Sequence, residues 1–176
     1  GQSQFALGDG PAAASPVLTA SQSVAGISFT VSATGYTLSA TGGAVLELGS
    51  SGLTADAGPS NYTNTISAPL SGTGGVTKSG NSTLVLSGTN TFTGQTSISQ
   101  GTLSINSLAN VGSASALGQP TTVGNGTIEF LTAVTNRMLL YTGATGSTNR
   151  VVNLAGTGCA AGIDSSVTGG LPGTSG

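Results

Sequence analysis

The chain has 176 residues, enough to bury one core, and only 5% of them are charged, with a net charge of −2. A mean hydropathy of +0.24, together with frequent Val, Ile and Thr, excludes a charge-rich disordered chain and predicts an ordered all-β protein whose polar surface is hydroxyls and amides. Three scattered basic residues, Lys78, Arg137 and Arg150, exclude the dense positive stripe of a nucleic-acid binder, and 4% aromatics without Trp exclude the girdled bands of a membrane barrel.

Residues 1–16, with Pro11, Pro16 and an alanine run, read as an N-terminal arm or cap; they contain no charged n-region followed by an apolar h-region. From residue 17 to 176, short alternating runs recur every eight to ten residues between Gly, Asn, Pro and Ser. In residues 27–31 the odd positions, Ile27 and Phe29 among them, are apolar and the even ones hydroxylic, so one face is buried and the other wet. Tyr36-Thr37-Leu38, Leu46-Glu47-Leu48, Leu84-Val85-Leu86, Leu103-Ser104-Ile105 and Ile128-Glu129-Phe130 keep that phase. Residues 108–120 are the one stretch where a short helix or bulged loop is expected to interrupt the strands.

Each strand offers one or two inward residues of modest size, and aromatics to fill a thick sandwich are scarce, so the core is narrow and stacked. The fold predicted is a right-handed parallel β-helix (β-solenoid) with short strands and Gly/Asn/Ser turns, using roughly 20 to 28 residues per turn. A β-sandwich, whose strands also recur every 8 to 12 residues, is the alternative.

Within this pattern, Lys78, Gly80, residues 83–88 (Thr-Leu-Val-Leu-Ser-Gly), residues 90–94 (Asn-Thr-Phe-Thr-Gly) and Gly101-Thr102-Leu103 stand out as a motif. The stretch 76–105 resembles the autotransporter-associated β-strand repeat, or passenger-associated transport repeat, of bacterial surface proteins. Phe92 stands where Tyr is commoner in that family, and Gln95 and Gln100 where small residues are usual. Residues 22–29 and 148–154 look like segments that flank such repeats, and no C-terminal translocator barrel is among these residues. The resemblance implies a β-helical passenger region, exported and displayed at the cell surface or outside the cell, commonly as a stalk. It names no ligand.

No residue stands out as catalytic, cofactor-binding or metal-ligating. The absence of His removes the commonest general base and metal ligand. Asp9, Glu47, Asp56, Glu129 and Asp164 are isolated in sequence, although a solenoid brings distant residues onto one face, and solvated surface carboxylates are the expected reading. Leu7-Gly8-Asp9-Gly10 is a single echo of calcium-binding repeats, so no metal or other cofactor is expected. Gly72-Thr73-Gly74-Gly75 and Gly124-Asn125-Gly126 lack the helix and Lys of phosphate loops and read as turns. The sequons at Asn61, Asn81 and Asn125 are those that a Ser/Thr-rich chain produces by chance, and Cys159, the single cysteine, reads as a small buried thiol.

The function expected is therefore that of a non-enzymatic extracellular structural protein, a segment of a surface stalk or adhesin or of a self-assembling fibre. Its expected partners are copies of itself or adjoining solenoid repeats, with cell-surface or matrix contact and neither nucleic acid nor membrane insertion. A carbohydrate-acting β-helix enzyme or a carbohydrate-binding module is the alternative.

Overall fold

The structure is a computed structural model that describes residues 3–7, 15–29, 35–56, 62–131, 136–154 and 161–165. Strand β1 (Ser3–Leu7) is followed by β2 (Val17–Leu18) and β3 (Gln22–Phe29), then by β4 (Thr37–Ala40), β5 (Leu46–Leu48) and β6 (Leu53–Asp56). The chain continues through β7 (Thr63–Ile66), β8 (Leu70–Gly72) and β9 (Val76–Ser79), then β10 (Thr83–Leu86), β11 (Thr96–Ile98) and β12 (Gly101–Ile105). A helical turn, α1 (Val123–Gly126), precedes β13 (Ile128–Phe130), β14 (Arg137–Tyr141), β15 (Val152–Leu154) and β16 (Ala161–Ser165).

These strands stack into three walls. The first runs β2-β4-β7-β10-β12-β14-β16. The long β3 pairs through its first half with β5 and through its second half with β6, so it belongs to both other walls. One of these continues from β5 to β8, and the other runs β3-β6-β9-β11-β13-β15. Strand β1, inside the stretch expected as an arm, pairs in parallel with β3. All pairings between these strands are parallel, which two face-to-face antiparallel sheets cannot provide. The fold is a β-solenoid.

Alternation along each strand becomes stacking between turns. Leu38, Ile66, Leu86, Ile105 and Tyr141 form one inward column, and Leu53, Val76, Thr96, Ile128 and Val152 form another. Leu38, Leu46, Leu48, Leu84, Leu86, Leu103, Ile105, Ile128 and Phe130 are buried as predicted. The side chains of Ile27 and Phe29 lie outside the described residues. Removing each of these leucines from water contributes about 1.5–3 kcal/mol, and because every turn covers the next, the core is continuous although it is thin.

The turns are not equal in length. Thr63 lies under Thr83 and Thr83 under Thr102, steps of 20 and 19 residues, whereas Gly101 lies under Arg137, a step of 36. Most of the difference is an excursion over residues 106–127, because the step from Thr96 to Ile128 is already 32; it contains the stretch 108–120 where the sequence predicted an interruption. It returns to the stack at Ser115, which bridges Asn90, and at Gln119, whose amide donates to the Phe92 carbonyl at 2.8 Å. The helical turn falls just after the predicted stretch and takes in Gly124-Asn125-Gly126, because Thr122 caps it and accepts from the Asn125 amide at 3.2 Å.

Candidate functional site

The repeat at 76–105 holds its most unusual side chain inside. Strand β9 turns Val76 and Lys78 inward and Thr77 and Ser79 outward, since successive strand residues face opposite sides. Lys78 therefore occupies the column Ala55, Lys78, Ile98, Phe130, with 0% of its surface exposed. Its Nζ donates to the carbonyls of Ser79 at 2.6 Å, Gly80 at 2.7 Å and Gln100 at 3.0 Å. Two of these belong to its own corner and one to the corner above. Corner carbonyls leave the ladder and are costly when buried unpaired; the ammonium's three donors satisfy them with charge-assisted bonds.

The rest of the motif serves the same stacking. Gly101, above that corner, has φ +72, and a Cβ on it would lie 2.4 Å from the Gly80 carbonyl oxygen, so only glycine fits. Asn90 is buried at the next corner, where its Oδ1 accepts from the Leu70 amide below at 2.9 Å and its Nδ2 donates to the Ala116 carbonyl above at 2.7 Å. Phe92 is fully buried. Gln100 donates through Nε2 to Asn81 Oδ1 at 2.5 Å, and Gln95 through Nε2 to the Gly124 carbonyl at 3.5 Å. These two departures from the family pattern thus bond to neighbouring segments.

The other two cations are also turned inward. Arg137, in phase with Leu139 on β14, is 2% exposed, and its Nε and Nη1 find no hydrogen-bond partner among the described residues. Arg150 is 7% exposed and donates from Nε to the Ala109 carbonyl at 3.0 Å, from Nη1 to Leu117 at 3.0 Å, and from Nη2 to Gly118 at 2.9 Å and Ser115 Oγ at 3.5 Å. Burial pushes its guanidinium below the ordinary value, yet an arginine keeps its charge at physiological pH. Sequence reading placed these residues as three scattered charges and missed their burial. The signal was there for two of them, because Lys78 and Arg137 stand at apolar phase positions, two residues from Val76 and Leu139.

The described carboxylates stay apart, Glu47 on β5, Glu129 on β13 and Asp164 on β16, each on a different wall. Glu47 and Asp164 are exposed, and Glu129 accepts from Asn153 Nδ2 at 2.8 and 3.0 Å. Among the described residues no three His, Cys, Asp or Glu side chains come together in a way that could hold a metal ion, and no helix is long and apolar enough to cross a membrane. Asp9, Asn61 and Cys159 lie outside the described residues, as does the side chain of Asp56. Outward positions of the first wall carry hydroxyl columns, Thr63-Thr83-Thr102 and Thr37-Thr65. The groups that acid–base or metal chemistry needs are dispersed, while amides and cations converge on backbone carbonyls between turns.

Comparison with known proteins agrees with this geometry. A family model described as Passenger-associated-transport-repeat matches residues 76–105. Among curated proteins the chain is similar to the adhesin BmaC autotransporter of Brucella suis biovar 1 (strain 1330), 44% identical over 72 residues, which is 41% of this chain and 2% of that protein. The chain thus spans a very small part of the length of that relative. No solved structure is significantly similar. The repeat and the relative indicate a surface or extracellular location. With its buried lysine, corner glycines and bridging asparagine set between stacked parallel strands, the segment 76–105 is a passenger-associated transport repeat carried in a β-solenoid.

Proposed function

We propose that this chain is a non-enzymatic segment of a bacterial surface stalk or adhesin, working by shape and contact. The observation that carries the reading is where the polar side chains of the repeat are used: Lys78 and Asn90 bond backbone groups of adjacent turns inside the stack. The outer walls are left with hydroxyls and few charges. Resemblance to part of an autotransporter adhesin supports the same reading, although what that protein contacts is its own property.

Association through the end of the stack is a second reading, favoured by Leu154 and Ile163. They stand in register with buried Phe130 and Leu139 yet are 57% and 56% exposed, apolar side chains at inward register positions of the last described strands. The partner there is an adjoining solenoid turn or a copy of the chain.

Negative-stain microscopy and light scattering, run beside a glycan-hydrolysis screen, test both readings. Rod-shaped particles without turnover are expected, and concentration-dependent elongation supports end association. Glycan cleavage that disappears when one carboxylate is replaced would overturn the non-enzymatic reading.

A further inference from the structure

Residues 143–150 face the excursion, and here side chains replace the backbone ladder. Among the described residues no backbone–backbone hydrogen bond joins 143–150 to 107–119. Instead Thr148 Oγ1 donates to the Ala109 carbonyl at 2.9 Å, the Asn149 amide donates to Asn110 Oδ1 at 2.9 Å, and the Val111 amide donates to Asn149 Oδ1 at 2.8 Å. These asparagine contacts are exposed, where water competes; the Arg150 bonds to Leu117 and Gly118 are buried. Arg150 also joins the two limbs of the loop, because Ala109 lies on the outgoing limb and Leu117 and Gly118 on the returning one. A planar guanidinium with donors on several edges suits carbonyls set in different directions, whereas a lysine concentrates its donors at one point.

We propose that Arg150 is a latch that holds the 106–127 excursion against the solenoid, and that without it the excursion opens while the turns beneath remain paired. The bonds within the loop are local, such as the Ala116 amide to Ser107 Oγ and Gln119 Nε2 to the Gly112 carbonyl. By contrast, the latch reaches back 41, 33 and 32 residues to its carbonyls, so the loop closes only when the following turn is in place. The ladders of the repeat at 76–105 with β7, β13 and β14 do not involve Arg150. Residues 90–92 bond the excursion from below, through the Asn90 amide to Ser115, Asn90 Nδ2 to Ala116 and the Gln119 amide to Phe92, so opening breaks those three bonds with it. Local opening of one segment while the rest stays folded is an ordinary property of folded chains. Opening uncovers Ala116 and Leu117, both fully buried in the closed state. The latch concerns the presentation of the surface and holds whatever that surface contacts.

Hydrogen exchange on the full chain, read by mass spectrometry for Arg150→Ala, Arg150→Lys and the exposed control Ser147→Ala, tests the latch. In Arg150→Ala, amides of 109–119, and that of Asn90, which donates to Ser115, should exchange about tenfold faster or more, with 76–89 and 94–105 unchanged. Arg150→Lys should show a smaller loss confined to the same segment, and Ser147→Ala none. Unaltered protection of 109–119 in Arg150→Ala would overturn the proposal, as would loss spread equally through 76–105. Should Arg150→Ala fail to fold, Arg150→Lys decides: selective loss in 109–119 supports the latch, and protection equal to the parent, or loss everywhere, removes it.

Discussion

Lys78 makes the residue scale clear, since the same side chain that counts as one of three scattered basic residues in the composition is a fully buried fastener in the fold. Replacing it by Met keeps the apolar stem and removes three charge-assisted bonds to the half-buried carbonyls of Ser79, Gly80 and Gln100. Lys78→Met should lose about 3 kcal/mol or more in denaturant unfolding; a loss below about 0.5 kcal/mol, the scale of an ordinary surface change, would remove the fastener role. Thr96 is the opposite case. It occupies a core column between Val76 and Ile128, and its buried Oγ1 has no partner among the described residues. Thr96→Val exchanges an unsatisfied hydroxyl for a methyl of similar size, so it should raise stability by about 1 kcal/mol, visible as a higher midpoint. A lower midpoint would mean that the hydroxyl is in fact satisfied. For Lys78 the spacing of two from Val76 carries the inward position in the sequence, whereas in β11 three successive residues are buried and no alternation marks Thr96; partners that depend on which turn lies above were not legible there.

At the scale of the element, alternation made the strands readable. Leu86 in β10 lies between Ile66 and Ile105 in one column, so a carboxylate there has apolar neighbours on both sides. Leu86→Asp should cost several kcal/mol against a total stability of about 5–15 and abolish the cooperative thermal transition. Glu129→Gln retains an acceptor for Asn153 at an exposed pair and should shift stability by less than about 0.5 kcal/mol. Equal melting of Leu86→Asp and the parent would contradict the column. The excursion was legible only as a break, because its residues follow no two-residue period. Its attachment draws on Asn90 and Phe92 below and on Arg150, which lies more than 30 residues away from the carbonyls it holds.

For the whole molecule, the decisive feature is that all three cations are turned inward, so little of its stability rests on exposed ion pairs. The thermal midpoint should therefore move little between low salt and about 1 M NaCl, where the Debye length falls to roughly 3 Å. A fall of many degrees on adding salt would show that exposed charges hold the turns together. Composition and alternation by themselves determined the β class, the narrow core and the inward phase of the strands around Leu38, Leu46, Leu84, Leu103 and Ile128, because a period of two records which face of a strand is buried, while the place of the repeat came from its motif. The tertiary structure alone decided the register steps of 19, 20 and 36 residues, the loop carbonyls gathered by Arg150 and the separation of the carboxylates onto different walls. Those depend on what lies one turn above or below, and in a solenoid that distance along the chain changes with every excursion.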